Sequence, residues 1–297
     1  MLRLHAPAKV NLFLRVLARE ESGFHQLETL FVALEFGDHL EMEWAEEGIV
    51  LETGGVEVGP REDNLVYRAA EGYLNESGVV GGVRLFLEKN VPPGGGLGGG
   101  SSDAATTLMG LGTLFPDALG QEGLLRLAGA LGSDVPFFLS PSSLALAWGR
   151  GTRLLPLPPL PSAPVLLALP PIHVSTQEAF RLVAREMQQD PRVCPPGIYS
   201  PEDFSSWDRV GRLAGNDFED VVLPEYPQLA RIHAALRETG ALFSLLSGSG
   251  SSLFGLFSED EVAEGAKADL EITFPDTRFV LTRTQCRGSG PMIESRG

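Results

Sequence analysis

Lysine is almost absent from this chain. Only Lys9, Lys89 and Lys267 occur among the 23 basic residues of a 297-residue sequence. The 39 acidic residues leave a net charge of −16, which excludes a general affinity for nucleic acid or for an anionic membrane surface. Cysteine is as scarce, with Cys194 and Cys286 alone. Two thiols build no disulfide framework, and the expectation is reduced thiols in a cytoplasmic protein. No long apolar run is free of breaks. The least charged stretch, Leu154 to Ile172, carries seven prolines, which no membrane-spanning helix accommodates. The opening "MLRLHAPAKVNLFLRV" has neither the apolar core nor the small-residue cleavage site of a secretory signal.

Glycine, by contrast, is concentrated. In "PPGGGLGGGSSDA", residues 92–104, six of the seven positions from Gly94 to Gly100 are glycine. Ordering glycine costs more backbone entropy than ordering any other residue, so an ordered loop of this kind must recover that cost. A flexible linker is one reading, but strand-like and helical segments abut the run directly. A dinucleotide fingerprint fitted to Gly94, Gly96 and Gly99 requires a strand leading into the turn, and Pro92-Pro93 interrupts it. A Walker loop requires Gly-Lys-Ser/Thr, and no lysine precedes Ser101-Ser102. The protein-kinase tripeptides His-Arg-Asp and Asp-Phe-Gly do not occur. What remains is a loop of bare amides running into a helix N-terminus, where N–H groups and the helix dipole favour polyphosphate oxygens. With so little lysine nearby, amides and a divalent cation must carry most of the phosphate charge.

The length allows one large or two medium domains. Alternation predicts extended structure over 3–17 with a break at Pro7, a loop over 18–29, strands within 39–55 and 82–90, and an amphipathic helix over 63–77. A helix follows the glycine run, capped by Ser101 or Ser102 with Asp103 in its first turn. Another spans 121–132 and leads through "SDVP" to a strand-like "FFLS". The proline-rich stretch 156–164 divides the chain into 1–155 and 156–286, with 287–297 a frayed tail. Beyond the divide, a strand precedes a helix opened by a Ser175–Glu178 capping box, then a loop over 194–207. A further helix, a strand–glycine turn–strand unit over 241–257, a capped helix and a last strand complete a second α+β unit.

The lysine-free "PGGGLGGGSSDAA" resembles the central motif of the GHMP kinases, the family of galactose, homoserine, mevalonate and phosphomevalonate kinases. "APAKVNLFLRV" is similar to that family's first motif and "LLSGSGSSLFGLF", residues 245–257, to its third. "GFHQLET", "LGSDVPFFL" and "GNDFE" further resemble the branch of the family that phosphorylates a cytidine-diphosphate-linked sugar alcohol. The resemblance implies an α+β, two-domain GHMP kinase fold. Its N-terminal α/β domain would contain a left-handed β-α-β crossover, its C-terminal domain would be ferredoxin-like, and the active site would lie in the cleft between them. It also implies ATP with Mg2+, and a small-molecule acceptor phosphorylated on its 2-hydroxyl in the non-mevalonate route to isoprenoids.

A lysine ahead of an apolar strand is ordinarily a solvated edge residue, and an aspartate after a helix is ordinarily a turn or cap residue. The resemblance places Lys9 and Asp134 on the family's catalytic positions, Asp134 as base for the alcohol proton and Lys9 as its charged partner. It gives phosphate cradling to Pro92, Pro93, Gly94, Gly95, Gly96, Leu97, Gly98, Gly99, Gly100, Ser101 and Ser102. Asp103 reads as a residue complementing the helix dipole and nothing more. Gly248 to Ser252 reads as a tight hairpin turn, which the resemblance packs beside the phosphate loop. His25 is expected to read the cytosine edge with Phe24 beside the ring. Phe24 stands where the family carries tyrosine, so an apolar face is kept and a hydroxyl lost. Phe180 reads equally as the opposite wall or as a core residue of an amphipathic helix. Asn11 and Thr176 are expected to contact substrate, and no residue is singled out as a metal ligand. Two alternatives stay open. One is another GHMP small-molecule kinase, of homoserine or mevalonate type, against which "GFHQLET" and the Lys9/Asp134 combination argue. The other is a non-catalytic nucleotide-binding sensor, against which the retention of both Lys9 and Asp134 argues.

Overall fold

The computed structural model describes residues 1–20, 23–189 and 199–286. The start of the expected loop at Cys194 and the expected tail 287–297 lie outside the described residues. Two long antiparallel strands open the chain, β1 (Leu2–Arg19) and β2 (His25–Ala45). Pro7 has no N–H for the ladder, and the register shifts between Pro7 and Lys9. The loop expected over 18–29 is shorter than its composition suggests. Residues from His25 onward already belong to β2, which is paired on one side by β1 and on the other by later strands.

β3 (Ile49–Gly55), α1 (Leu65–Ser77) and β4 (Gly82–Lys89) follow, with β3 and β4 parallel. Asn64 caps α1 by accepting the Val66 amide at 2.9 Å. α2 (Gly99–Leu114) and α3 (Gln121–Leu131) pack with α1 over a core that includes Leu4, Tyr73, Leu108 and Phe137. The strand expected at "FFLS" is instead a single helical turn, α4 (Val135–Phe138), with Pro136 at its start. Periodicity does not separate a short apolar run in a strand from one in a buried helix, and burial of Phe137 and Phe138 decides it here. β5 (Leu144–Gly149) pairs with β2 and with β6 (Arg153–Leu157), so β6 crosses the expected divide at 155/156.

The second half begins with β7 (Pro164–Leu169) and α5 (Thr176–Gln189). α6 (Trp207–Leu213), β8 (Gly215–Asn216), α7 (Glu219–Glu225) and α8 (Pro227–Arg237) follow. β9 (Phe243–Leu246), β10 (Leu253–Leu256), α9 (Asp260–Thr273) and β11 (Arg278–Arg283) end it. β11-β7-β10-β9 form an antiparallel four-stranded sheet, the strand order of a ferredoxin-like unit. β8 departs from this half and pairs in parallel with β1 at Phe13 and Leu14, completing a seven-stranded first sheet. The two sheets are also tied where the Phe36 amide donates to Thr282 Oγ1 at 2.8 Å and the Gln285 amide to the Ala33 carbonyl at 2.9 Å. Among the described residues no helix is long and apolar enough to cross a membrane.

Candidate active site

Lys9 lies on β1 just after the Pro7 irregularity and is almost wholly buried. Its ammonium stands 3.6 Å from Asp134 Oδ2 and donates to Asn11 Oδ1 at 2.7 Å. Asn11 Nδ2 in turn donates to Thr29 Oγ1 at 2.8 Å, and the Thr29 hydroxyl to the Phe13 carbonyl at 2.6 Å. This chain of bonds fixes the ammonium in place. Burial lowers the Lys9 pKa from its ordinary value, and the negative charge of Asp134 opposes that fall. Asp134 precedes α4 without bonding a helix amide through its side chain; its carboxylate faces Lys9, accepts from Ser133 Oγ at 3.5 Å and borders the space in front of the pair.

The glycine run meets this pair from above. The Lys9 amide donates to the Leu97 carbonyl at 2.9 Å, and Leu97 is buried. Gly98, not a serine, is the N-cap of α2; its φ of 69° is left-handed and suits glycine. The Gly98 carbonyl accepts the Ser102 amide at 2.9 Å, so Ser101 and Ser102 sit inside the helix and the expectation that one of them caps it is corrected. No side chain caps this terminus, which leaves its first-turn amides available to an external acceptor. Ser102 Oγ is buried and has no hydrogen-bond partner.

The missing side chains have a second reason besides phosphate access. A Cβ on Gly96 would collide with the Ser247 carbonyl, and one on Gly95 would lie 2.7 Å from Ser252 Oγ. A Cβ on Gly98 would lie 3.0 Å from Lys9 Cγ, and one on Gly99 2.8 Å from Lys89 Nζ. The run is therefore bare partly to admit the β9–β10 turn and two of the three lysines. Asp103 departs from the sequence reading as well. It lies beyond the first turn of α2 and is ion-paired with Lys89; burial pushes its carboxyl up, and the Lys89 charge opposes that push.

The β9–β10 turn is the expected hairpin, and it does pack on the glycine run. Ser247 Oγ donates to the Gly96 carbonyl at 2.9 Å, and the Ser252 amide to the Gly95 carbonyl at 3.1 Å. Asn216 holds the turn from behind by donating to the carbonyls of Leu246 and Gly248 at 2.8 and 2.7 Å. Glu219 accepts the Leu246 amide at 2.7 Å. Burial raises the Glu219 carboxyl from 4.5 to about 7, although that amide bond pulls the other way. The folded state thus retains a proton that the unfolded chain releases above its own pKa. The stabilisation is full below 4.5 and is lost as pH rises through 7. A shift of this size corresponds to at most about 3 kcal/mol. Glu219→Gln keeps the acceptor oxygen and is expected to gain stability relative to the parent between pH 5 and pH 8. Urea unfolding at both pH values checks this, and parallel behaviour of the two proteins would exclude it.

In front of Lys9 and Asp134 lies a cavity of about 1180 Å³ that Asn11, Phe24, His25, Gly96, Gly98, Thr176 and Phe180 also line. Pro92, Pro93 and Gly95 line a separate cavity of about 260 Å³. Gly94, Leu97, Gly99, Gly100, Ser101 and Ser102 line neither. His25 and Phe180 are brought together but are not two walls of an open slot. Their rings stack at 5.0 Å, and Phe180 meets Phe218 edge-on at 4.9 Å. Phe24 is exposed, and the Arg150 guanidinium lies 4.1 Å over its ring while paired with Glu20. Thr176 Oγ1 accepts from Ser249 Oγ at 3.2 Å. Sequence reasoning missed Thr29, Arg150 and Phe218. Thr29 closes the "GFHQLET" motif and Phe218 lies in "GNDFE", but neither was singled out there, and Arg150 has no local pattern.

A glycine loop on a helix N-terminus without a side-chain cap thus packs directly on a lysine that is paired with an aspartate at the edge of a large cavity, the arrangement expected of a small-molecule kinase. The GHMP kinases N terminal domain matches residues 64–141 and the GHMP kinases C terminal domain residues 202–276. The chain belongs to the GHMP kinase family. It is 39% identical over 286 residues to the 4-diphosphocytidyl-2-C-methyl-D-erythritol kinase of Moorella thermoacetica, covering 96% of this chain and 99% of that protein. The enzyme of the same name from Nitrosospira multiformis is 41% identical over 265 residues, covering 88% and 84%. A crystal structure of 4-(cytidine 5'-diphospho)-2C-methyl-D-erythritol kinase superposes with a TM-score of 0.79 at 36% identity, covering 95% and 98%.

Proposed function

We propose that this chain transfers the γ-phosphoryl group of ATP to the 2-hydroxyl of 4-(cytidine 5'-diphospho)-2-C-methyl-D-erythritol, in the non-mevalonate route to isoprenoids. The observation that carries the reading is the Lys9–Asp134 pair, which opens on the same cavity as Gly98, His25 and Phe180. Asp134 accepts the proton of the attacking hydroxyl. The oxygen bonds to the γ-phosphorus, and the bond to the β–γ bridging oxygen breaks to release ADP. Phosphoryl transfer leaves the protein mainly positioning and charge stabilisation, and the buried Lys9 ammonium supplies the latter beside the base. In this reading residues 1–155 bring the phosphate loop and the reacting pair, and residues 156–286 bring the β9–β10 turn, Thr176 and Phe180.

Among the described residues no group of three or more His, Cys, Asp or Glu side chains could hold a metal ion. A carboxylate cage for Mg2+ is therefore not offered, and the ion would ride on the phosphates. The first-turn amides of α2 and the part-exposed Ser101 hydroxyl would meet such an ion or a phosphate oxygen, while the unpartnered Ser102 hydroxyl lies buried behind them. When bound, the ion neutralises phosphate charge. ATP consumption measured with the cytidylylated substrate beside mevalonate and homoserine tests the proposal, with 31P NMR locating the new phosphate. Faster turnover of either simpler alcohol would overturn it.

The cytidine moiety gives a sharper test. A site built to bond a base edge rejects a base that leaves its polar groups unpaired. The cytidine conjugate is expected to be preferred over its uridine counterpart, and His25→Ala should shrink that preference. Phe180→Ala removes the ring that stacks on His25, so it should weaken both conjugates and shrink the preference as well. The measurement is kcat/KM for both conjugates with each variant. Equal use of the two bases by the parent would exclude base reading by His25.

A further inference from the structure

One cluster beneath the glycine run takes no part in the proton transfer. Lys89 ends β4, Asp38 lies in β2 and Asp103 in α2, with side-chain exposures of 3%, 0% and 3%. The Lys89 ammonium is bonded to Asp38 Oδ2 and donates to Asp103 Oδ2 at 2.8 Å. The other oxygen of Asp38 accepts the amides of Asn90 at 2.6 Å and Val91 at 2.8 Å, the two residues that lead into Pro92. The entry to the loop and the helix that follows it are therefore tied to one buried ammonium.

Stability alone does not account for this arrangement. A cation near a helix N-terminus opposes the helix dipole, and a buried ion pair is often no more stabilising than apolar residues of the same size. The cluster does, however, remove a specific freedom. A loop this rich in glycine, if loose, would have to be ordered each time a ligand bound, and that cost would be taken from affinity. We propose that Lys89 is a positioning residue for ATP: the Asp38–Lys89–Asp103 clasp fixes both ends of the loop in its phosphate-accepting shape before nucleotide arrives. The proposal rests on the reading of this loop as the phosphate site.

The test is calorimetric binding of a non-hydrolysable ATP analogue to the full chain without sugar substrate, joined to KM for each substrate, in Lys89→Met and Asp103→Asn. Lys89→Met is expected to weaken analogue binding and raise KM for ATP by about tenfold or more, with KM for the sugar substrate changed by less than about twofold. Asp103→Asn, which keeps the pair with Asp38, should shift the same quantities less. Faster hydrogen exchange at amides 94–99 should accompany both. If Lys89→Met does not fold, Asp103→Asn decides alone. Parental analogue affinity in a folded variant, or an equal rise in both KM values, would overturn the proposal. Failure of the unmodified protein to bind the analogue would overturn the phosphate-loop reading, and the clasp with it.

Discussion

Asp134→Asn is expected to lower kcat by about 10²–10⁴-fold, the usual range for removing a general base, while leaving KM for both substrates close to the parent. The amide keeps the shape of the carboxylate but cannot accept the hydroxyl proton. It also leaves the buried Lys9 ammonium facing a neutral group instead of the carboxylate 3.6 Å away. Lys9→Ala should cut kcat as well, and it additionally removes the donor to Asn11 Oδ1. The two residues share one interaction, so the double variant should lose less than the sum of the single losses. Single-turnover kinetics with saturating ATP separates chemistry from release. Near-parental turnover in Asp134→Asn would end its assignment as base.

Gly96→Ala is expected to produce the largest structural effect of any single methyl group in the loop. Its φ of 84° is left-handed, which costs an L-residue about 1–2 kcal/mol. The added carbon would also collide with the Ser247 carbonyl, a backbone atom of the β9–β10 turn that cannot rotate away. Overpacking of this kind typically adds about 1–3 kcal/mol. The expected result is a lower Tm together with loss of nucleotide binding, because the same contact seats the turn on the loop. Gly100→Ala is the control, since a Cβ there meets only Leu65 Cδ1 at an ordinary 3.5 Å. Equal stability of the two variants would show that the loop and the turn are not rigidly seated on one another.

The residues that meet at the candidate site were legible in the sequence because the motifs are local. Lys9 lies in "APAK", Asp134 in "GSDVPFF" and the turn in "SGSGSS", and each keeps its chemistry within a few positions. The contacts that organise them were not. Lys89 meets Asp38 from 51 residues away, and Gly96 meets Ser247 from 151. Periodicity reports which side chains are buried but carries nothing about what they meet. The capping error at Ser101 and Ser102 has the same origin. Hydroxyls are the usual N-caps, but here the backbone must turn left-handed at Gly98 to pass Lys9, and the helix begins earlier. The helix at "FFLS" and the two-residue β8 were missed for want of length.

The pairing of β8 with β1 has a consequence for how the protein is made. Phe13 and Leu14 find their parallel partners at Gly215 and Asn216, and the Val16 amide its acceptor at Asp217, 201 residues later. During synthesis at about 5–20 residues per second, the edge of β1 at Phe13 and Leu14 waits some ten seconds or more for this partner. An unpaired strand edge is a template for intermolecular pairing. Contacts this distant in sequence also slow folding. β1 is thus among the earliest segments translated, while its pairing at Phe13 and Leu14 is among the last completed, an interval in which the nascent chain is open to intermolecular pairing.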